Sequence, residues 1–240
     1  MGAPAFKLQS GCRIGHVLSG RCNAFLLSKG DRHLLVDTGR RGSEKKLVQG
    51  LVDAGVDGTN LSALVLTHTH FDHAENAAAV QTIFGTKIIV HRSEADFLGR
   101  GDSPLPRGTL FFTRWLIAAF GARLQRRFRY QPAAGDILVG EDLDLHDFGF
   151  PAAILHTPGH SAGSLSLIVE NEIALVGDTL FGMFRDSVMP PFADDPALMI
   201  RNWRRLLDTG CSVFLPGHGR RIDRDLLQRQ VEKHQGRYGA

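Results

Sequence analysis

Three histidines and an aspartate fall within the six positions His68 to His73, directly behind the apolar run Leu61 to Leu66. This stretch, "LTHTHFDHAEN", restricts the fold more than any other feature of the chain. A short buried strand must end where the metal-binding side chains begin, and the rest of the chain must bring partners to that end. His68, His70 and Asp72 recur at a spacing of two. In extended backbone that spacing sends side chains to one side, so all three can face one cavity. His73 starts the helix that follows and reaches the same place from another direction. Imidazole and carboxylate ligands in this mixture suit zinc or a similar divalent ion.

The chain offers further ligands in three separated places. "HTPGHSAGS" presents His160 in a Pro-Gly turn, "LVGDTLF" presents Asp178 at the end of an apolar run, and "FLPGHG" presents His218. In each case an apolar strand delivers one ligand at its end, which is how a sheet gathers ligands along one edge.

The remaining elements follow from periodicity. "CNAFLLSKG" and "DRHLLVDTG" read as a hairpin with its turn at Lys29-Gly30-Asp31. "SEKKLVQGLVDAG" has helical spacing, with Ser43 as N-cap and Gly55 as stop. "HAENAAAVQTIFG" reads as one helix closed by Gly85, and "KIIV" as a strand. Residues 152 to 156, 164 to 169 and 172 to 176 read as strands. Helices at about 195 to 208 and 223 to 236 bracket the strand "SVFL". Strands alternating with helices, with hairpins among them, point to sheet layers covered by helices. With 240 residues, 43% of them apolar, and no repeat or low-complexity linker, the simplest organisation is one domain over residues 1–240.

A formal net charge of +3 argues against nucleic acid or membrane as the partner of the chain as a whole. The three cysteines, Cys12, Cys22 and Cys211, form no CxxC pair and read as reduced thiols. The N-terminal "MGAPAFKLQS" has no basic stretch followed by an apolar run, so no export signal is read there. No apolar run is long enough to span a bilayer. The expected location is cytoplasmic.

One segment departs from the rhythm. From Arg100 to Gln131 the chain carries seven arginines, one aspartate and a strongly apolar centre. It reads as a helical insertion at about 100–131 with arginines on its wet face, and as a candidate lid. Phe112 and Trp115 are the expected substrate-wall residues there, with Phe181 a third, beside Asp178.

The HxHxDH run, the later His160, Asp178 and His218, and the early "LLVDTG" together resemble the metallo-β-lactamase superfamily over roughly Asn23 to Gly219. The resemblance implies an α/β fold, a four-layer αββα sandwich with a binuclear site along one edge. It implies His68, His70 and His160 as ligands of a first metal, and Asp72, His73 and His218 as ligands of a second. Asp178 would bridge the two, and Asp37 would support the ligands from behind. Two Zn²⁺ ions are the expected cofactors, with iron or manganese as alternatives. Glu75 departs from the glycine that family members often carry there, and is a candidate to narrow the site or to bind a ligand imidazole.

Two divalent cations with Asp72, Asp178 and a bridging hydroxide leave a net charge of +1. Such a site favours a small-molecule substrate with a carbonyl and an apolar or anionic part. Asp72 is the expected catalytic group, orienting the nucleophile and moving its proton. The expected activity is metal-dependent hydrolysis of an ester, thioester or lactone. Alternatives are a lactonase of the N-acyl homoserine lactone type, an iron-dependent sulfur dioxygenase, or a nuclease. Against the lactonase, Phe181 stands where those relatives tend to place tyrosine. Against the nuclease, the chain lacks the length of an added nucleic-acid-binding domain. No nucleic-acid partner is expected.

Overall fold

A computed structural model describes residues 6–238. Met1 to Ala5, part of the N-terminal stretch read for an export signal, lie outside the described residues. Two sheets form the centre. The first runs in chain order through β1 (Phe6–Lys7), β2 (Arg13–Leu18), β3 (Ala24–Lys29), β4 (Arg32–Val36), β5 (Leu61–Val65), β6 (Ile88–His91) and β7 (Ile137–Val139). β1 to β4 are antiparallel, and β4 to β7 pair in parallel. The second contains β8 (Leu143–Asp144), β9 (Ala152–His156), β10 (Leu165–Val169), β11 (Ile173–Gly177), β12 (Val213–Pro216) and β13 (Ile222–Asp223), in spatial order 13-12-11-10-9-8. Only β11 and β12 pair in parallel in this sheet.

The alternation of side chains sorts the strands into layers. Phe25 and Leu27 of β3, Leu34 and Val36 of β4, and Ile89 of β6 face inward, against Leu165, Leu167, Leu175 and Leu215 of the second sheet. Their neighbours Leu26, Leu35, Ile88 and Val90 face outward. They pack under α1 (Glu44–Asp53), α2 (Phe71–Ala74), α3 (Ala77–Phe84) and α4 (Ala95–Arg100). On the far side Ile168, Ala174, Val176 and Phe214 meet α6 (Pro196–Asp208) and α7 (Arg224–Tyr238), with Trp203 fully buried between them. The result is helix, sheet, sheet, helix, as the sequence led us to expect. No helix among the described residues is long and apolar enough to cross a membrane.

Two local differences matter. The single helix expected over 73–85 is two helices, α2 and α3, broken at Glu75 and Asn76. Asn76 turns its amide onto the carbonyl oxygens of Thr38 (2.8 Å) and Arg40 (3.2 Å), tying the break to the loop behind β4. The insertion is also only partly helical. Residues 102 to 107 form an irregular loop, and α5 (Phe111–Arg127) follows. Leu110 N–H donates to Thr113 Oγ1 (3.1 Å), which donates to Pro191 O (3.0 Å), so the start of α5 is fastened to the 190–192 loop.

Candidate metal centre

Asp37 and every expected metal ligand come from the chain beyond the C-terminal end of a strand, all along one edge of the sandwich. Asp37 follows β4, His68 to His73 follow β5, His160 follows β9, Asp178 follows β11 and His218 follows β12. The spacing argument holds for His68 and His70, whose rings both turn into the cluster, His70 from extended backbone. It fails for Asp72, which lies inside the short helix α2 beside His73. Its carboxylate still reaches the cluster, with Oδ2 at 3.3 Å from His218 Nε2.

The ring nitrogens are sorted by hydrogen bonds behind them. His73 Nδ1–H donates to Asp37 Oδ2 at 2.8 Å. His160 Nδ1–H donates to Phe192 O at 3.0 Å, and His218 Nδ1–H to Arg21 O. Thr67 gives its hydroxyl proton to Asp37 Oδ2 (2.9 Å), so its oxygen accepts from His68 Nδ1–H at 3.1 Å. Such partners fix the tautomer of a ligand imidazole and aim its other nitrogen. Asp37 can do this because the chain turns there into the left-handed region (φ 60°), which aspartate tolerates better than most residues.

The free nitrogens converge. His70 Nδ1 and His160 Nε2 stand 3.0 Å apart, and the rings of His68 and His160 lie with centroids 4.7 Å apart. His73 Nε2 and His218 Nε2 stand 3.3 Å apart. Nitrogens bound tetrahedrally to one zinc ion at about 2.0–2.1 Å would be roughly 3.3 Å apart. Asp178 lies between the two sets: Oδ1 is 3.4 Å from His73 Nε2, and Oδ2 is 3.4 Å from His218 Nε2 and 3.8 Å from His160 Nε2. His68 Nε2 and Asp178 Oδ1 are buried without a hydrogen bond, a costly state for polar atoms that a bound cation relieves. Gly217 leaves the necessary room, because a Cβ there would come within 2.4 Å of His73 Cε1 and 2.7 Å of Asp178 Oδ1. These residues fit a metal ion, and the sets His68-His70-His160 and His68-His73-Asp178 each hold ligand atoms within 4.8 Å of one another.

The electrostatics divide the cluster. Burial lowers the pKa of His68, His70 and His160, and His70 falls to about 3. These three are neutral and ready to act as ligands. For His218, burial is outweighed by the charge and hydrogen bond of Asp178 and by Asp72, which push it up to about 11. His73 is also raised well above its usual range, because Cys22, Asp178 and Asp37 outweigh its burial. Asp72 and Asp178 are lowered in turn, since the nearby His218 and His73 overcome their desolvation.

Three participants were not legible in the sequence. Glu94, at the loop after β6, is buried and clamps the two loops that carry His70 and His160. Its Oε2 accepts from Thr69 N (3.1 Å) and from Thr69 Oγ1, and its Oε1 accepts from Ser161 Oγ (2.7 Å) and Gly163 N (3.1 Å). Tyr130 donates its hydroxyl to Thr69 O at 2.9 Å. Cys22 lies with Sγ 3.9 Å from both ring nitrogens of His73, and with His73 and His218 it makes a third possible ligand group. Glu75 does neither thing proposed for it. Its carboxylate accepts from the backbone N–H of Arg41. His91 and His156 stack on each other at 4.0 Å, away from the cluster.

A cavity of about 320 Å³ opens on the cluster. His70, Asp72, His160, Asp178 and His218 form its polar floor, and its walls are apolar: Phe71, Leu105, Leu116, Ile117, Leu124, Phe128, Phe181 and Phe192, with prolines from the 104–106 and 190–191 turns. The insertion therefore does wall the cavity, and Phe181 lines it. The expectation for Phe112 and Trp115 is corrected. Both project into solvent, 62% and 61% exposed, and neither lines the cavity. The inward stripe of α5 is instead Thr113, Ile117, Gly121 and Leu124, followed by Phe128, at helical spacing.

Comparison with known proteins agrees with this geometry. A family model of the metallo-β-lactamase superfamily matches residues 19–218. The hydroxyacylglutathione hydrolase GloC of Haemophilus influenzae is 33% identical over 189 residues, which cover 77% of this chain and 79% of that protein. The acyl-coenzyme A thioesterase MBLAC2 of Homo sapiens is 29% identical over 216 residues, covering 82% and 73%. Among solved structures, a metallo-β-lactamase of Cronobacter sakazakii with a HARLDQ motif superposes with a TM-score of 0.68 at 15% identity, over 99% of this chain and 93% of that one.

Proposed function

Because the chain belongs to the metallo-β-lactamase superfamily, we propose that it is a metal-dependent hydrolase of thioesters, with esters as the nearest alternative substrates. One observation carries this reading: two sets of ligand atoms meet at Asp178 on the floor of an apolar cavity. In our assignment His68, His70 and His160 would hold one ion and Asp72, His73 and His218 a second, with Asp178 lying between the two sets; zinc is the expected metal. Bound ions of this kind lower the pKa of water to about 7 and polarise a carbonyl.

The chain's own groups supply the rest. The cavity walls take the apolar acyl part of the substrate and exclude water around the scissile carbonyl. Asp72, ionised at neutral pH and still partly open to the cavity, is placed to orient the attacking water and to pass its proton to the leaving thiolate. Asp37, Phe192 O and Arg21 O hold His73, His160 and His218 in the tautomers that a metal requires. GloC and MBLAC2 bear names from hydrolase and thioesterase chemistry, which favours this bond class over the others. The cavity walls are carbon-rich and offer no basic side chain, which disfavours nucleic acid. Phe181 brings no hydroxyl to the cavity, which disfavours the lactonase.

The test is a substrate panel of acyl thioesters, acyl esters, lactones and phosphodiesters with the zinc-loaded protein. The reading requires thioesters to give the highest kcat/KM. Turnover of phosphodiesters or lactones alone would overturn it.

A further inference from the structure

The outward face of α5 has no function in the reading above. Phe111, Trp115, Ala119, Ala122 and Arg126 follow one another at spacings of four and three, so they form one stripe along the helix. Phe112 and Arg123 flank it, and Arg127 continues that flank. All eight are exposed. Phe111 is 89% exposed, an extreme value for a large aromatic side chain. This face is aromatic in its first turn and a half and cationic over its last turn and a half, Phe111 and Arg126 being about 22 Å apart along the axis. No acidic residue occurs anywhere in α5. Arg123, Arg126 and Arg127 have no carboxylate partner among the described residues, whereas Arg129 just beyond is paired to Asp102 at 2.8 Å.

We propose that this face docks the enzyme on an anionic lipid bilayer. A helix lying flat in the interface buries aromatic side chains among the headgroups and places arginines against lipid phosphates and carboxylates. Trp and Phe at one end and unneutralised arginines along the same face meet both demands. A purely acidic protein partner would explain the arginines but not three bare aromatic rings. A second copy of the chain would have to cover the rings while leaving three like charges unmatched. The inner face of the same helix supplies Ile117 and Leu124 to the apolar cavity, so docking would bring the cavity wall to the surface where apolar acyl chains are held. Met183 and Phe184, on the loop that carries the cavity residue Phe181, are likewise exposed. The small net charge of the whole chain does not bear on this, because the charge that acts on a membrane within a screening length is the local one.

Trp115 serves as the probe, since the other tryptophan, Trp203, is fully buried. The full chain is mixed with vesicles of phosphatidylcholine alone, or of phosphatidylcholine and phosphatidylserine in equal parts. We expect a blue shift of Trp115 emission and co-flotation only with the anionic vesicles, weakened by added salt. The triple substitution Arg123→Glu, Arg126→Glu, Arg127→Glu should lower partitioning at least on the order of 100-fold, since each arginine near such a surface contributes about fivefold. Phe111→Ser with Phe112→Ser should lower it as well. Each variant should keep the wild-type circular dichroism and metal content. Failure of the wild-type chain to float with anionic vesicles would overturn the proposal. So would unaltered flotation of the arginine variant, or light scattering that finds a dimer with Trp115 shielded whether or not vesicles are present. None of these readouts depends on catalysis, so they leave the thioesterase reading to its own test.

Discussion

Removal of the Glu94 carboxylate should loosen the site at a distance from any ligand. Glu94 accepts four hydrogen bonds, two from Thr69 and two from the Ser161–Gly163 turn, and it is 2% exposed. In Glu94→Ala the backbone N–H groups of Thr69 and Gly163 lose their acceptor inside the protein, at about 1–3 kcal/mol each. With the two hydroxyl bonds added, we expect a total loss of about 3–5 kcal/mol, the range for breaking a buried charged network. Glu94→Gln retains one acceptor oxygen but turns an NH₂ toward one of the two loops, and should fall between wild type and alanine. Thr69 lies between His68 and His70, and Ser161 adjoins His160, so the loosening should fall on the first ligand set. Partners of this rank typically change metal affinity by about 10–100-fold. Urea unfolding gives the stability change. Competition against a graded series of chelators, with cobalt as a spectroscopic substitute, gives the affinity at each site. A Glu94→Ala protein that lost stability but held its first metal as tightly as wild type, with an unchanged cobalt spectrum, would refute the idea that this carboxylate positions the ligands.

Other outcomes follow from the same geometry. In the chelated protein, His70 has a folded pKa of about 3 against an unfolded value near 6.5. The unfolded chain therefore gains a proton first, and stability present above pH 6.5 should drain away as pH falls toward 3, by about 5 kcal/mol for this residue alone. His68 and His160 are shifted in the same direction. His218, raised to about 11, contributes stability that is complete below pH 6.5 and is lost as pH rises toward 11. A urea midpoint that stayed flat on the acid side would contradict the neutral state of the first three histidines. Ile117→Trp should shorten the longest acyl chain accepted, because one methylene in an apolar pocket is typically worth about 1–3 kcal/mol of discrimination, and kcat/KM ranked by chain length reads this directly. Trp115→Ala, an exposed truncation, should alter stability by no more than about 0.5 kcal/mol and leave that ranking alone; a large loss would mean that the ring is packed after all.

Much of the fold was legible because period two and period 3.6 both write themselves into apolar residues. Leu34 and Val36 against Leu35, or Leu165 and Leu167 against Ile168, separate the two faces of each sheet without further information. The candidate ligands stood out because all seven sit in four short runs, each behind an apolar strand. The supports were not. Glu94 and Tyr130 lie 25 and 61 residues from Thr69, which they brace, and no spacing links them to it. Cys22 lies 51 residues from His73 in the chain, and no spacing links the two. The error at Phe112 and Trp115 has a different origin. Their aromatic character drew attention, but the spacing Thr113, Ile117, Gly121, Leu124, Phe128 already marked the inward stripe, and it leaves both rings outside. The break at Glu75–Asn76 carries no glycine or proline, and only the tertiary bonds of the Asn76 amide explain it.

The central claim is that two metal ions, joined through Asp178, are needed to cleave a thioester. It is tested most directly by adding zinc stepwise to the chelated protein while both bound metal and the rate of acyl-thioester hydrolysis are measured. The rate should climb with the second equivalent and level off at two per chain. Asp178→Asn should bind the second ion weakly and lose most of the rate. Full activity at one equivalent, or an Asp178→Asn protein with two tightly held ions and wild-type turnover, would contradict it.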